Sequence, residues 1–158
     1  MGSCRLILWR LSGAPHAGSL DGGFGLAHDG RWNTAGHAVT YCATSPSLCV
    51  LEKLVHVEDP DLLPPLVMVR YAVPEDLAME TVDLAPLPDG WRLQESWTQQ
   101  RGDRWHATLA APLLAVPSVI VPLEGSPDMN VLINHRHEAA GSIRIIAAEP
   151  FVLDVRLF

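Results

Sequence analysis

The chain lacks any apolar run of membrane-spanning length; a helix needs about 20 apolar residues to cross a bilayer. Leu6-Ile7-Leu8-Trp9 is short and ends at Arg10, so the start does not read as a secretory signal. Cysteine is scarce. Cys4, Cys42 and Cys49 are odd in number and have no framework spacing, which argues against a disulfide scaffold and for free thiols in a reducing cytoplasm. Positive charge is also short. Acidic residues outnumber Lys plus Arg by 18 to 11, a formal charge of -7. Phosphate contacts need concentrated Lys and Arg, so nucleic acid and membrane are poor main partners. A basic partner, or a local Arg pocket for a small anion, is compatible with this balance. No internal repeat and no low-complexity tract is present.

Several chemical signatures are missing as well. There is no Cys-x-x-Cys pair and no His-Glu-x-x-His, so no metal centre is expected, and His135-x-His137 reads as loop polarity. Ser118 lacks a Gly-x-Ser-x-Gly elbow, which disfavours a small serine hydrolase. The glycines between residues 12 and 29 do not form a dinucleotide fingerprint.

What remains is a chain of 158 residues, 48% hydrophobic and 18% charged, sufficient for one domain, residues 1–158, with a sizeable core. Residues 5–11 read as a first strand and 12–29 as a glycine-rich loop. Ala38 to Ala43 is β-prone and carries Tyr41. Ser45-Pro46 is an N-cap followed by a first-turn proline, predicting a helix from Pro46 to about His56. Its apolar arc is expected at Val50, Leu51, Leu54 and Val57, with Leu48 and Val55 at the edge and Glu52 beside it. Residues 66–73 form the clearest strand. Trp91 is expected to anchor a turn-rich loop to the core, and residues 98–109 to form a helix with Trp105 inward. Short β segments follow at 113–116, 118–121, 130–133 and 143–147, then a tail that packs back. Strands and helices mix without βαβ alternation, which predicts an α+β fold.

Arg31, Tyr41, Glu52 and Ser118 are side chains of catalytic type in this framework. An Arg fork suits a diphosphate. An aromatic ring suits a flat heterocycle. A carboxylate stabilises the ribosyl cation that forms when a charged base leaves. A hydroxyl fixes an amide or ribose. Residue types permit this chemistry without selecting it.

The order of motifs is more specific. Gly30-Arg31-Trp32-Asn33, Gly36, Val39-Thr40-Tyr41, Leu51-Glu52, Val116-Pro117-Ser118, Asn130-Val131-Leu132-Ile133-Asn134, His137 and Glu149-Pro150-Phe151…Asp154…Arg156-Leu157-Phe158 together resemble the RES domain family. That resemblance implies a toxin of a bacterial type II toxin–antitoxin pair with a diphtheria-toxin-like ADP-ribosyltransferase fold. It implies NAD as substrate, without a metal, and ADP-ribose passed to a protein, water or phosphate. It implies an Xre-like antitoxin whose C-terminal segment blocks the cleft. Carried over by motif, the catalytic residues would be Arg31, Tyr41, Glu52 and Ser118. Arg31, Tyr41, Ser118 and Asn130 would contact NAD; Arg10 and Asn130 match less distinctive positions. Two departures stand out: Asp29 precedes Gly30 where the family often has Gly, and His135-Arg136 follows Asn134 where it often has Pro. The rival reading is a non-enzymatic partner-binding module presenting Trp91 and Trp97.

Overall fold

The computed structural model describes residues 4–158. The thiol of Cys4 lies outside the described side chains. The elements, in order, are β1 (Cys4–Gly13), α1 (Gly23–Ala27), β2 (Val39–Ala43), α2 (Pro46–Leu54), β3 (Leu66–Pro74), β4 (Met79–Thr81), α3 (Glu95–Thr108), β5 (Leu113–Pro117), β6 (Met129–Asn134) and β7 (Arg144–Phe151), with short 3-10 turns between them. The strands build one seven-stranded sheet in the order β4-β5-β6-β2-β1-β3-β7. Only β4 and β5 run parallel; the other neighbours are antiparallel. The α+β class expected from the sequence is the one observed.

The joint between β1 and β2 is unusual. β1 pairs with β3 along its whole length, yet meets β2 only at Trp9 and Ala43. Residues 14–38 leave β1 and return at β2 over this narrow joint. Pairing register assigns side chains to faces, because successive residues of a strand alternate. Leu8, Cys42, Val69, Tyr71, Ala115, Val131 and Ile133 fill one face. The opposite face carries two cores. One holds Trp32, Val39, Trp91, Trp105, Leu114, Val116 and Leu132; the other holds Leu11, Ala43, Leu48, Cys49, Leu66 and Met68. Full burial of each such aliphatic side chain contributes about 1.5–3 kcal/mol, so both faces are held.

Local chemistry explains several boundaries. Ser45 accepts from the Leu48 N–H and caps α2, with Pro46 in its first turn. The expected strand at 118–121 does not form. The Ser118 hydroxyl accepts from the N–H groups of Ile120 and Val121, which turns the chain just after Pro117. The glycine-rich loop is more structured than expected and contains α1. The apolar arc of α2 also differs from expectation. Leu48 and Cys49 are its buried residues, while Leu51 and Val55 are exposed. The sheet docks against the Leu48–Cys49 side, and Glu52 lies on that same side at helical spacing.

Candidate active site

Glu52 is half-buried on α2. Its Oε1 accepts from the Ser118 hydroxyl at 3.2 Å and from Asn130 Nδ2 at 2.9 Å. Ser118 is completely buried at the end of β5, and its backbone donors fix the hydroxyl rotamer. Asn130 sits at the start of β6 opposite Val116 and Ala43. Three elements therefore converge on one carboxylate, and both side-chain hydrogen bonds engage a single oxygen. Among the described residues no hydrogen bond reaches Oε2, which is open to a further donor.

Tyr41 lies on the same face as Asn130. It is opposite Leu132, which makes Tyr41 and Asn130 diagonal neighbours within reach of an aromatic side chain. Its hydroxyl donates to Asn33 Oδ1 at 2.7 Å and accepts from the Trp32 N–H at 2.9 Å. Burial pushes the phenol far above its ordinary pKa. Its hydroxyl is thus a structural tie, and its ring is the part able to meet a ligand.

Arg31 occupies a tight turn closed by the Gly30–Asn33 bridge. A side chain at Gly30 would collide with the Tyr41 phenol and the Asn33 amide oxygen, which accounts for glycine before Arg31. The turn is gripped by α3: Thr98 donates to the Arg31 carbonyl, Gln99 to the Gly30 carbonyl, and Asp103 accepts from the backbone and hydroxyl of Thr34. Trp32 is buried against Trp91. Arg31 is half-buried as a residue, and its guanidinium donates to the Arg92 carbonyl at 3.0 Å in an exposed hydrogen bond. No hydrogen bond among the described residues joins it to the Glu52 cluster.

The structure thus brings Glu52, Ser118 and Asn130 into contact, sets Tyr41 beside Asn130, and keeps Arg31 on the adjoining turn. Arg10 is not with them. Strand alternation turns it to the opposite face, where it bonds Tyr71 Oη, Ser12 Oγ and the carbonyls of His16 and Ser19. His135 bonds Thr40, and His137 caps the 3-10 turn at Glu138–Ser142. Burial pushes the Cys42 and Cys49 thiols up to about 12, so neither is poised as a nucleophile. Trp91 is buried and Trp97 half-buried, which removes the exposed aromatics on which the binding-module reading rested. Sequence reasoning missed Asn33, Thr98, Gln99 and Asp103. The signal for Asn33 was its place in the Gly30–Asn33 motif; on α3 the sequence pointed to Trp105 facing inward and gave no signal for Thr98, Gln99 or Asp103.

Two surface hollows are present, one against the core on the opposite face of the sheet and one beside this cluster. One, of about 530 Å³, is lined by Leu20, Asp21, His135 and the Ala140–Ile145 segment. The other, of about 460 Å³, includes Pro117 and Met129, the residues preceding Ser118 and Asn130.

One mixed sheet with a carboxylate, an amide and a hydroxyl gathered on one face defines a protein of the α+β class. Its backbone matches a chain of the M. tuberculosis MbcT–MbcA toxin–antitoxin complex with a TM-score of 0.72 at 16% identity, covering 96% of this chain and 86% of that one. The chain belongs to the RES domain family, whose model matches residues 7–154. It is 39% identical over 155 residues to Toxin Res of Pseudomonas putida, covering 97% of this chain and 100% of the relative. It is 32% identical over 155 residues to Toxin Res of Photorhabdus laumondii, covering 96% and 97%. The Prs ADP-ribosylating toxin of a Sphingobium species is 32% identical over 145 residues, covering 89% and 88%.

Proposed function

We propose that this chain is the toxin of a toxin–antitoxin pair and cleaves the nicotinamide–ribose bond of NAD, passing ADP-ribose to an acceptor. The observation that carries the reading is the Glu52 carboxylate, held by Ser118 and Asn130 on the same sheet face as the Tyr41 ring. The family membership and a relative named as an ADP-ribosylating toxin support it.

The chemistry suits these groups. As the C1′–N bond breaks, its electron pair moves onto the pyridinium nitrogen and nicotinamide leaves neutral. Positive charge develops on the ribose, and a fixed carboxylate stabilises it without reorganisation. Glu52 Oε2 is the oxygen able to face that charge or a ribose hydroxyl. The Tyr41 ring packs against a flat base, Ser118 and Asn130 hold the carboxylate, and Arg31 meets the diphosphate, exchanging the Arg92 carbonyl for phosphate oxygens. An acceptor oxygen or side chain then bonds C1′ and releases a proton. No step calls on a metal, because the leaving group departs uncharged.

Pure protein incubated with NAD is expected to release free nicotinamide; none in excess NAD would overturn the reading. Labelled NAD added with a cell lysate then identifies the acceptor. A discrete labelled protein band assigns transfer to protein, and small-molecule products alone assign water or phosphate.

The partner is an Xre-like antitoxin whose inhibitory segment covers this site. The chain's acidic balance calls for basic residues in that segment. Affinity is expected to fall as salt rises from low ionic strength through the physiological range, measured by titration calorimetry; salt-indifferent binding would contradict this.

A further inference from the structure

Phe24 is a large aromatic side chain left 54% exposed on α1. Solvent exposure of one phenylalanine is ordinary on a loose loop, but α1 is not loose. A side chain at Gly22 would overlap the backbone of Ala38 and Val39, and one at Gly25 would overlap the His37 carbonyl and Val39. These glycines let α1 sit directly on the start of β2. The N–H groups of Gly36 and His37 donate to the Gly25 carbonyl, and that of Gly36 also to Leu26.

The link to the candidate site is a single buried amide. Asn33 is 2% exposed. Its Oδ1 accepts from the Tyr41 hydroxyl, while its Nδ2 donates to the carbonyls of Gly25 and His28 on either side of the α1 C-terminus. Tyr41 and α1 are therefore one unit. Within it the Phe24 ring stands perpendicular to Tyr41, centroids 6.3 Å apart, and the His28 ring lies 5.2 Å from Phe24.

We propose that Phe24 is a substrate-binding residue, forming with Tyr41 a fixed aromatic corner that receives a flat heteroaromatic ring of NAD. The inference rests on the NAD reading above and adds a residue to it. An immobile aromatic next to the Tyr41 ring contributes stacking area at little entropic cost, since the two glycine contacts and Asn33 have already fixed its backbone. Both rings of NAD have the required chemistry.

The test compares Phe24→Leu, which keeps apolar bulk and loses the π-face, with Phe24→Trp, which keeps it. Nicotinamide release by the unaltered protein comes first; its absence overturns the NAD reading and the Phe24 assignment with it, whereas release with an unchanged KM in Phe24→Leu overturns the assignment alone. Given release, Phe24→Leu is expected to raise KM for NAD about tenfold, within the range of base–aromatic stacking, with kcat changed less than about twofold. Phe24→Trp is expected to restore KM. Competition by AMP and by nicotinamide identifies the ring: whichever inhibitor weakens in Phe24→Leu marks the ring that Phe24 touches. The proposal is overturned if KM for Phe24→Leu stays within about twofold of the unaltered protein, or if Phe24→Trp fails to restore it. It is equally overturned if only antitoxin affinity falls, which would place Phe24 in the protein interface instead.

Discussion

Replacing Glu52 by Gln is expected to cut nicotinamide release about 10²- to 10³-fold, the scale on which one preorganised electrostatic group stabilises a transition state. Gln is close to isosteric with Glu, and its amide oxygen can still accept from Ser118 and Asn130, the two donors on Oε1. The fold and the local cradle should therefore survive, with a melting temperature near that of the unaltered chain. What disappears is the negative charge. If that charge acts on the ribosyl cation, the loss appears in kcat and in kcat/KM together, because the cation exists only near the transition state. A rise in KM alone would make Glu52 a binding residue. Turnover equal to the unaltered protein would remove Glu52 from the mechanism. Ser118→Ala is the matching control for the cradle: it deletes one of the two side-chain donors and also the acceptor for the Ile120 and Val121 N–H groups. It should lower both stability and rate, with rate falling less than in Glu52→Gln.

How much of this was legible beforehand follows from the range of each interaction. Tyr41 in a strand, the Ser45 cap and the Leu66–Pro74 strand depend on neighbours a few residues away, and sequence reading placed them. The convergence of Glu52, Ser118 and Asn130 joins three distant segments. Composition permitted it, and the family resemblance named the residues. The apolar arc of α2 was only partly placed: Val50 and Leu54 do pack on the core, but Leu51 is exposed, and the sheet, which periodicity cannot see, buries Leu48 and Cys49 most deeply. Arg10 went to the opposite face through strand alternation, in a register set by the pairing of Trp9 with Ala43. α1 was invisible because five residues, two of them glycine, carry no readable period. Its existence depends on contacts with residues 33–39 rather than on its own propensity.

The same distinction between local propensity and distant contact gives the other large effect. Glycine to alanine within a helix ordinarily adds about 1 kcal/mol of stability. At Gly102 the sign should reverse. A methyl group there would fall on the Trp32 carbonyl oxygen, with the Trp32 carbonyl carbon 2.8 Å away. That carbonyl cannot step aside easily. Trp32 is 2% exposed among Trp91 and Trp105, and its N–H is committed to Tyr41. The other choice is for α3 to back away, loosening Thr98 from Arg31, Gln99 from Gly30 and Asp103 from Thr34. Overpacking of this kind costs about 3 kcal/mol, a drop of roughly 6–12 °C in melting temperature for a chain of this size. Gly141→Ala supplies the contrast, since nothing lies within 4 Å of a methyl at that position and its φ is not positive; its melting temperature should be unchanged or slightly higher. Calorimetry on the two variants reads the difference directly. A Gly102→Ala protein as stable as Gly141→Ala would mean that α3 does not press on the Trp32 carbonyl. The grip of α3 on the Arg31 turn would then rest on its hydrogen bonds alone.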